Sequence, residues 1–180
     1  MTKLEIWNLA LGEIGSVGNI VNDADATPEA SQCRAAWPSA RDAALAAYPW
    51  ACCRAEAELA ERADKKSVVW KHVYQLPIDF IALRETVPAR IKFALGDRML
   101  FADDDAVAIV YTARIEAEQF APHLVDFAVL KLAQHLATSM RVGGTALMQS
   151  LYQRAEMALA NARTTEVRGC FVRPRRGRWL

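Results

Sequence analysis

The sequence predicts an α+β protein, mainly α: an antiparallel bundle of about four helices with a small antiparallel β-sheet insertion and an extended C-terminal arm. Three observations carry this expectation. Apolar residues recur at helical spacing before residue 50 and again after residue 118. Between them lie short runs rich in branched and aromatic residues, punctuated by turn signals. After Val167 the periodicity ends in a stretch of arginine, glycine and proline.

Thr2-Lys3-Leu4-Glu5 has the form of a capping box, with Thr2 as N-cap and Glu5 three residues on. Leu4, Trp7, Leu11 and Ile14 follow on one helical face, and Gly15 and Gly18 stop the helix. Thr27-Pro28-Glu29 begins a second helix with a cap, a proline at the first position and an acid in the first turn. Its stripe is Ala30, Cys33, Trp37, Ala40, Ala44 and Tyr48. Pro38 falls inside that stripe and is expected to kink or split the helix; Pro49 ends it.

Trp70-Lys71-His72-Val73-Tyr74-Gln75-Leu76-Pro77 reads as a short aromatic strand stopped by proline, followed by a short apolar run over 76–83. Strands are expected at 90–95, 98–101 and 107–115. Gly96-Asp97 makes the tight hairpin between the first two, and Asp103-Asp104-Asp105 the next turn. Residues 120–140 form a long helix whose polar residues (His123, Asp126, Lys131, Gln134, His135, Thr138) keep to a narrow strip, so most of its surface is expected to be buried. Gly143-Gly144 breaks it. The closing helix carries Met148, Leu151, Ala155, Ala158 and Ala162 at helical spacing. Its small residues permit close approach of another helix, in the same chain or in a neighbouring copy. These readings place helices at about 3–15, 28–48, 119–142 and 145–163, strands within about 72–115, one domain over 1–165 and an arm over 166–180.

With 180 residues and 53% apolar content the chain can bury a substantial core. The net charge of +1 hides an asymmetry. Residues 166–180 hold five arginines against Glu166 alone, and the rest of the chain has an acidic excess of three. The N-terminal apolar run is interrupted by Glu5 and Asn8, so no signal peptide is expected, and no run is long enough to cross a membrane. Cys33, Cys52, Cys53 and Cys170 contain no CxxC pair and read as reduced thiols of a cytosolic product.

No residue pattern selects catalysis or metal binding. Gly12, Gly15 and Gly18 end a helix instead of linking a strand to one, which a dinucleotide site requires. The aspartate triplet lacks the alternating ligands, central glycine and twelfth-position glutamate of a calcium loop, so it reads as a solvated turn. His72, His123 and His135 read as isolated histidines. Trp7 and Trp37 read as core residues. Trp50 and Trp70, at element ends, are candidates for either core or subunit interface, as are Ala155, Ala158 and Ala162. The arm carries Arg168, Phe171, Arg173, Arg175, Arg176, Arg178, Trp179 and Leu180. Three readings compete for it: docking on an acidic protein surface, contact with nucleic acid, and plain solubility. Val172 and Trp179-Leu180 favour docking, because an electrostatic arm has no need of an aromatic anchor.

Over roughly residues 4–165 the order of motifs resembles the head-to-tail connector proteins (adaptors, or tail-tube gatekeepers) of tailed bacteriophages. The likeness rests on Leu9 with Gly12 to Gly15, Tyr48-Pro49-Trp50, the Trp70–Pro77 segment, the Gly96-Asp97 hairpin and two closing alanine-rich helices. The resemblance implies a virion structural protein without catalysis or cofactor, made in the bacterial host cytoplasm and placed at the head–tail junction. It would form a ring, typically twelvefold, beneath the portal protein. It would extend the channel through which double-stranded DNA passes without sequence specificity, and give the tail or head-closure protein a platform; no membrane is involved. The C-terminal segment would dock on the portal. An acidic body suits a conduit because it would not grip passing phosphates. The alternative is a small helical DNA-binding or regulatory protein using the arginine-rich arm. Against it, the helices are alanine-rich, not basic, and carry no recognition-helix signature.

Overall fold

The computed structural model describes residues 1–169. In chain order it contains α1 (Lys3–Glu13), α2 (Pro28–Ala46), β1 (Arg54–Glu58), β2 (His72–Gln75), β3 (Phe80–Val87), β4 (Phe93–Gly96), β5 (Met99–Ala102), β6 (Ala108–Ala113), α3 (Pro122–Ser139) and α4 (Gly144–Gly169), with short 3-10 turns at Ala51–Cys53 and Ala117–Gln119. The chain divides into a helical unit (Met1–Ala44 with Glu116 onward) and a sheet unit (Leu45–Ile115).

The expected architecture needs correction here. The strands do not form a small sheet inserted into a helical bundle. They form two three-stranded antiparallel sheets, ordered β1-β6-β3 and β2-β5-β4, in a compact unit of their own. Nor are they a sequential meander. The most buried strand, β6, lies between β1 and β3, and β5 lies between β2 and β4. Both sheets feed one core: Tyr74 from β2, Leu100 and Ala102 from β5, and Ile109, Tyr111 and Ala113 from β6. A single small sheet would leave one face of β6 wet, yet Val110 and Thr112 on its other face are buried as well.

β1 falls outside the strand region expected from the sequence. Its residues, Arg-Ala-Glu-Ala-Glu, have low strand propensity, but they alternate: Ala55 and Ala57 face the core, while Arg54, Glu56 and Glu58 face solvent. The hairpin turn also lies one residue later than expected. Gly96 pairs with Met99, so the turn residues are Asp97 and Arg98, at φ 48° and 56°. Arg98 offsets this unfavourable backbone by donating from Nη2 to the Pro77 and Ile78 carbonyls at 3.1 and 2.9 Å. The outer edge of β2 is covered by the segment before it: Arg62 N–H donates to Val73 O, Gln75 N–H to Ala60 O, and Glu61 bridges to Tyr74. The described residues contain no strand beyond β4.

In the helical unit, α1 and α4 both pack on α3, and α2 is tied in through Trp37 against Phe120 and the Arg41–Glu116 ion pair at 2.8 Å. The Thr2–Glu5 capping box forms, with the Thr2 N–H donating to Glu5 Oε2 at 2.7 Å. The buried face of α1 is Ile6, Trp7, Ala10 and Leu11, so Leu4 lies at its margin, not in it. Thr27 Oγ1 accepts from Ala30 N–H at the start of α2. Pro38 does not split α2, which is continuous from 28 to 46. Pro38 sits on the exposed side, where the Arg34 carbonyl it deprives of a donor can turn to water. α3 buries eleven residues, including Gln134, whose Nε2 donates to the Leu151 carbonyl on α4 at 3.2 Å. The α3–α4 reversal uses Arg141 and Gly143 at positive φ. α4 is longer than expected: residues 166–169 are helical and do not begin an extended arm.

Candidate functional site

A groove of about 510 Å³ runs along the helical unit between α1, α3 and α4. Its floor is apolar, with Val129, Leu130, Ala158 and Ala162, and its rim carries the exposed side chains of Leu9 and Met157. Two polar pairs bound it. Near one end His123, in the first turn of α3, shares a hydrogen bond with Glu166 of α4, whose side chain is 7% exposed. Near the other, Arg154 makes a two-pronged bond to Glu13, with Nη2 donating to Oε1 at 2.8 Å; Glu13 raises the guanidinium pKa further. Asp126 lines the groove with its carboxylate exposed and without a partner among the described residues.

Two of the three histidines, His123 and His72, are therefore not isolated, while His135 is exposed on α3 without a partner among the described residues. His123 and Glu166 are 43 residues apart in sequence. They meet because the Gly143-Gly144 reversal makes α3 and α4 antiparallel, with His123 twenty residues before Gly143 and Glu166 twenty-three after it. Counting outward from that reversal also pairs Gln134 with Leu151, and this was the sequence signal available for the groove. In the sheet unit His72 lies between two carboxylates, with Nδ1 at 2.8 Å from Glu61 and Nε2 at 3.0 Å from Asp105. The Glu61 hydrogen bond raises its pKa above the usual 6.5, with both carboxylates adding electrostatic support. The aspartate turn is knitted to β2: Asp103 accepts from the Lys71 N–H and the Asp104 carbonyl from the Tyr74 hydroxyl. Among the described residues, no cluster of histidine, cysteine or carboxylate side chains has the arrangement of a metal site.

The buried cysteines are held as thiols. Burial, with Glu29 nearby, pushes Cys33 up to about 12. Cys53 is pushed up by its hydrogen bond with Cys52 and then by burial, against the opposing effect of Arg84. Arg84 organises this corner of the sheet unit, donating to the Trp50 carbonyl at 2.6 Å, to Thr112 Oγ1 at 3.0 Å and to Cys53 Sγ at 3.4 Å.

The residues singled out from sequence divide into several groups. Trp50 is fully buried, so it is an internal anchor and presents nothing to a neighbouring copy. Ala155 and Ala162 are likewise buried, on the face of α4 that carries Leu151 and Leu159. These three placements take the core alternative for one reason: residues at an element end, or small residues on a helix, face inward wherever a neighbouring element covers them. Ala158 lines the groove and Trp70 is half-buried in the loop before β2. Arg168 is exposed in the last turn of α4. Phe171, Arg173, Arg175, Arg176, Arg178, Trp179 and Leu180 lie outside the described residues.

No protein-family model matches the chain, and no curated protein matches it.

Proposed function

We propose that this protein is a structural head-to-tail connector of a tailed bacteriophage, assembling as a ring beneath the portal and docking through its C-terminal arm. The observation that carries the reading is the charge layout around α4. The helical unit through residue 169 holds eight basic and eleven acidic residues, and the sheet unit ten of each. The eleven residues that follow α4 hold four arginines and no acid. Arg168 sits exposed at the base of that segment. A long helix that ends in a concentrated positive charge flanked by aromatic residues suits attachment to a separate acidic surface, and the acidic helical unit suits a wall that DNA slides past. The order of sequence motifs supplies the identity of that surface as a portal ring.

The test is truncation at Gly169. Glu166 belongs to the folded helix through its bond to His123, so the cut must spare it. The full chain is expected to co-sediment with portal rings. The chain ending at Gly169 is expected to keep its circular-dichroism spectrum and remain in the supernatant. Normal association of the truncated chain with portal rings would sink the docking claim. Salt-dependent binding of the full chain to duplex DNA, lost on the same truncation, would transfer the arm to the DNA-binding alternative.

A further inference from the structure

In the β2-β5-β4 sheet, β4 has β5 on one side and no strand on the other among the described residues. Gly96 pairs with Met99 across the two-residue turn. Gly96 and Ala94 therefore exchange their backbone bonds with β5, and Phe93 and Leu95 point N–H and C=O outward. The backbone groups of Phe93 and Leu95 have no partner among the described residues. The side chains leave the same edge open. Phe93 lies beside Ala102 and Leu95 beside Leu100, both fully buried in the core, yet Phe93 and Leu95 are 40% and 45% exposed. The apolar layer of this sheet runs to its edge and stops there uncovered. We infer that β4 pairs antiparallel with β4 of a second copy of this chain, with Ala94 on the two-fold axis.

The strand itself selects this partner. An axis at Ala94 sets Phe93 opposite Leu95 of the second copy, and Leu95 opposite its Phe93. These are the two residues with outward backbone groups, so four new hydrogen bonds fall inside β4. Their side chains meet on one face and carry the core layer across the axis. Ala94 then faces Ala94 as a pair without hydrogen bonds, the closer antiparallel spacing, with about 4.5 Å between Cα atoms. Two methyl groups suit that spacing. Moving the axis to Leu95 would set Phe93 against Asp97, whose φ of 48° takes it out of the ladder. Moving it to Phe93 would draw on Ile91, which lies outside the strand. Charge agrees with the Ala94 register. Lys92 and Asp97 are both exposed and without an ion-pair partner among the described residues. Lys92 of each copy comes opposite Gly96 of the other, one residue from its Asp97. Arg98 is committed to the Pro77 and Ile78 carbonyls of its own chain. A foreign strand would have to supply the same apolar spacing and the same acid, which a second copy carries on an identical edge. This goes beyond the ring and portal reading and does not depend on it.

The experiment uses the full chain with Cys52→Ser and Cys170→Ser. Sedimentation equilibrium at rising concentration is expected to show monomer and dimer. Leu95→Pro removes two of the four bonds between copies and none to β5, so it should raise the dissociation constant about tenfold or more. Leu95→Lys, which keeps the backbone donor and removes the apolar contact, should weaken the dimer as well and covers the case in which the proline variant misfolds. Under mild oxidation with copper phenanthroline, Ala94→Cys should form a covalent dimer, whereas His135→Cys, exposed on α3, should stay reduced. A monomer at every concentration would overturn the inference and leave this edge to a different partner. A dimer that withstands Leu95→Lys would overturn it too, as would one in which Ala94→Cys fails to cross-link.

Discussion

Replacing Ala155 by leucine tests the placement of α4 most directly. Ala155 is 1% exposed and lies between Leu151 and Leu159 on the face of α4 that packs on α3. Leucine adds three carbons where no free volume faces it, and overpacking of this kind costs about 1–3 kcal/mol. Alanine and leucine have similar helix propensities, so the change reads packing and little else. Ala158, less than one turn further on, lines the open groove; Ala158→Leu is expected to stay within about 0.5 kcal/mol of the parent. In urea, with a slope of about 2 kcal/mol per molar, Ala155→Leu should lower the unfolding midpoint by roughly 0.5–1.5 M while Ala158→Leu hardly moves it. Equal midpoints for the two variants would refute the internal assignment. A normal midpoint for Ala155→Leu combined with failure to self-associate would return Ala155 to a subunit interface.

Other positions give further outcomes. Gly143 has φ 88°, and a Cβ there would lie 2.1 Å from Leu147 Cδ2, so Gly143→Ala should destabilise the α3–α4 reversal by about 2 kcal/mol or more, read as a lowered Tm. The folded state holds the His72 proton above its usual pKa, so this site favours folding fully below about pH 6.5, and the benefit fades as pH rises through the raised value. The Tm gap between the parent and His72→Gln should therefore narrow from mildly acidic to mildly alkaline pH; a gap that widens would contradict the Glu61–His72–Asp105 geometry. In a Cys170→Ser background, Ellman's reagent should modify the exposed Cys52 in the folded protein and reach Cys33 and Cys53 only after denaturation.

The helical elements were legible in the sequence because their signals are local. Thr2 with Glu5, Thr27 with Pro28, and Gly143-Gly144 each act within one turn of chain, and each sits where a helix begins or ends. The sheet arrangement was not legible, because strand order is decided by which strand is apolar enough to be covered on both sides. β6 wins the central place over strands nearer to each other in sequence, and β1 pairs with it through alternation carried by alanine, which looks like neither strand nor helix. The groove was half legible. His123 and Asp126 stood out on the strip of α3, but the meeting of His123 with Glu166 of α4 depends on the antiparallel register. Burial decided the interface candidates. Trp50 lies under the reach of Arg84, a long-range bond that spacing alone could not reveal.

The covered edge of β2 limits how copies of this protein can join. Residues 60–62 occupy its hydrogen-bonding side, and the strip that then faces outward carries Glu61 held to His72 and Arg62 held to Asp64 and Gln75. Within the β2-β5-β4 sheet only β4, with Phe93 and Leu95 exposed, is left without a strand on its outer side among the described residues. Pairing of this sheet with the same sheet of another copy can then occur only as β4 against β4, a contact that is used up once two chains have met. A blocked edge opposite a free one excludes an endless ribbon built through this sheet. A ring of many copies cannot be closed by this sheet pairing with itself.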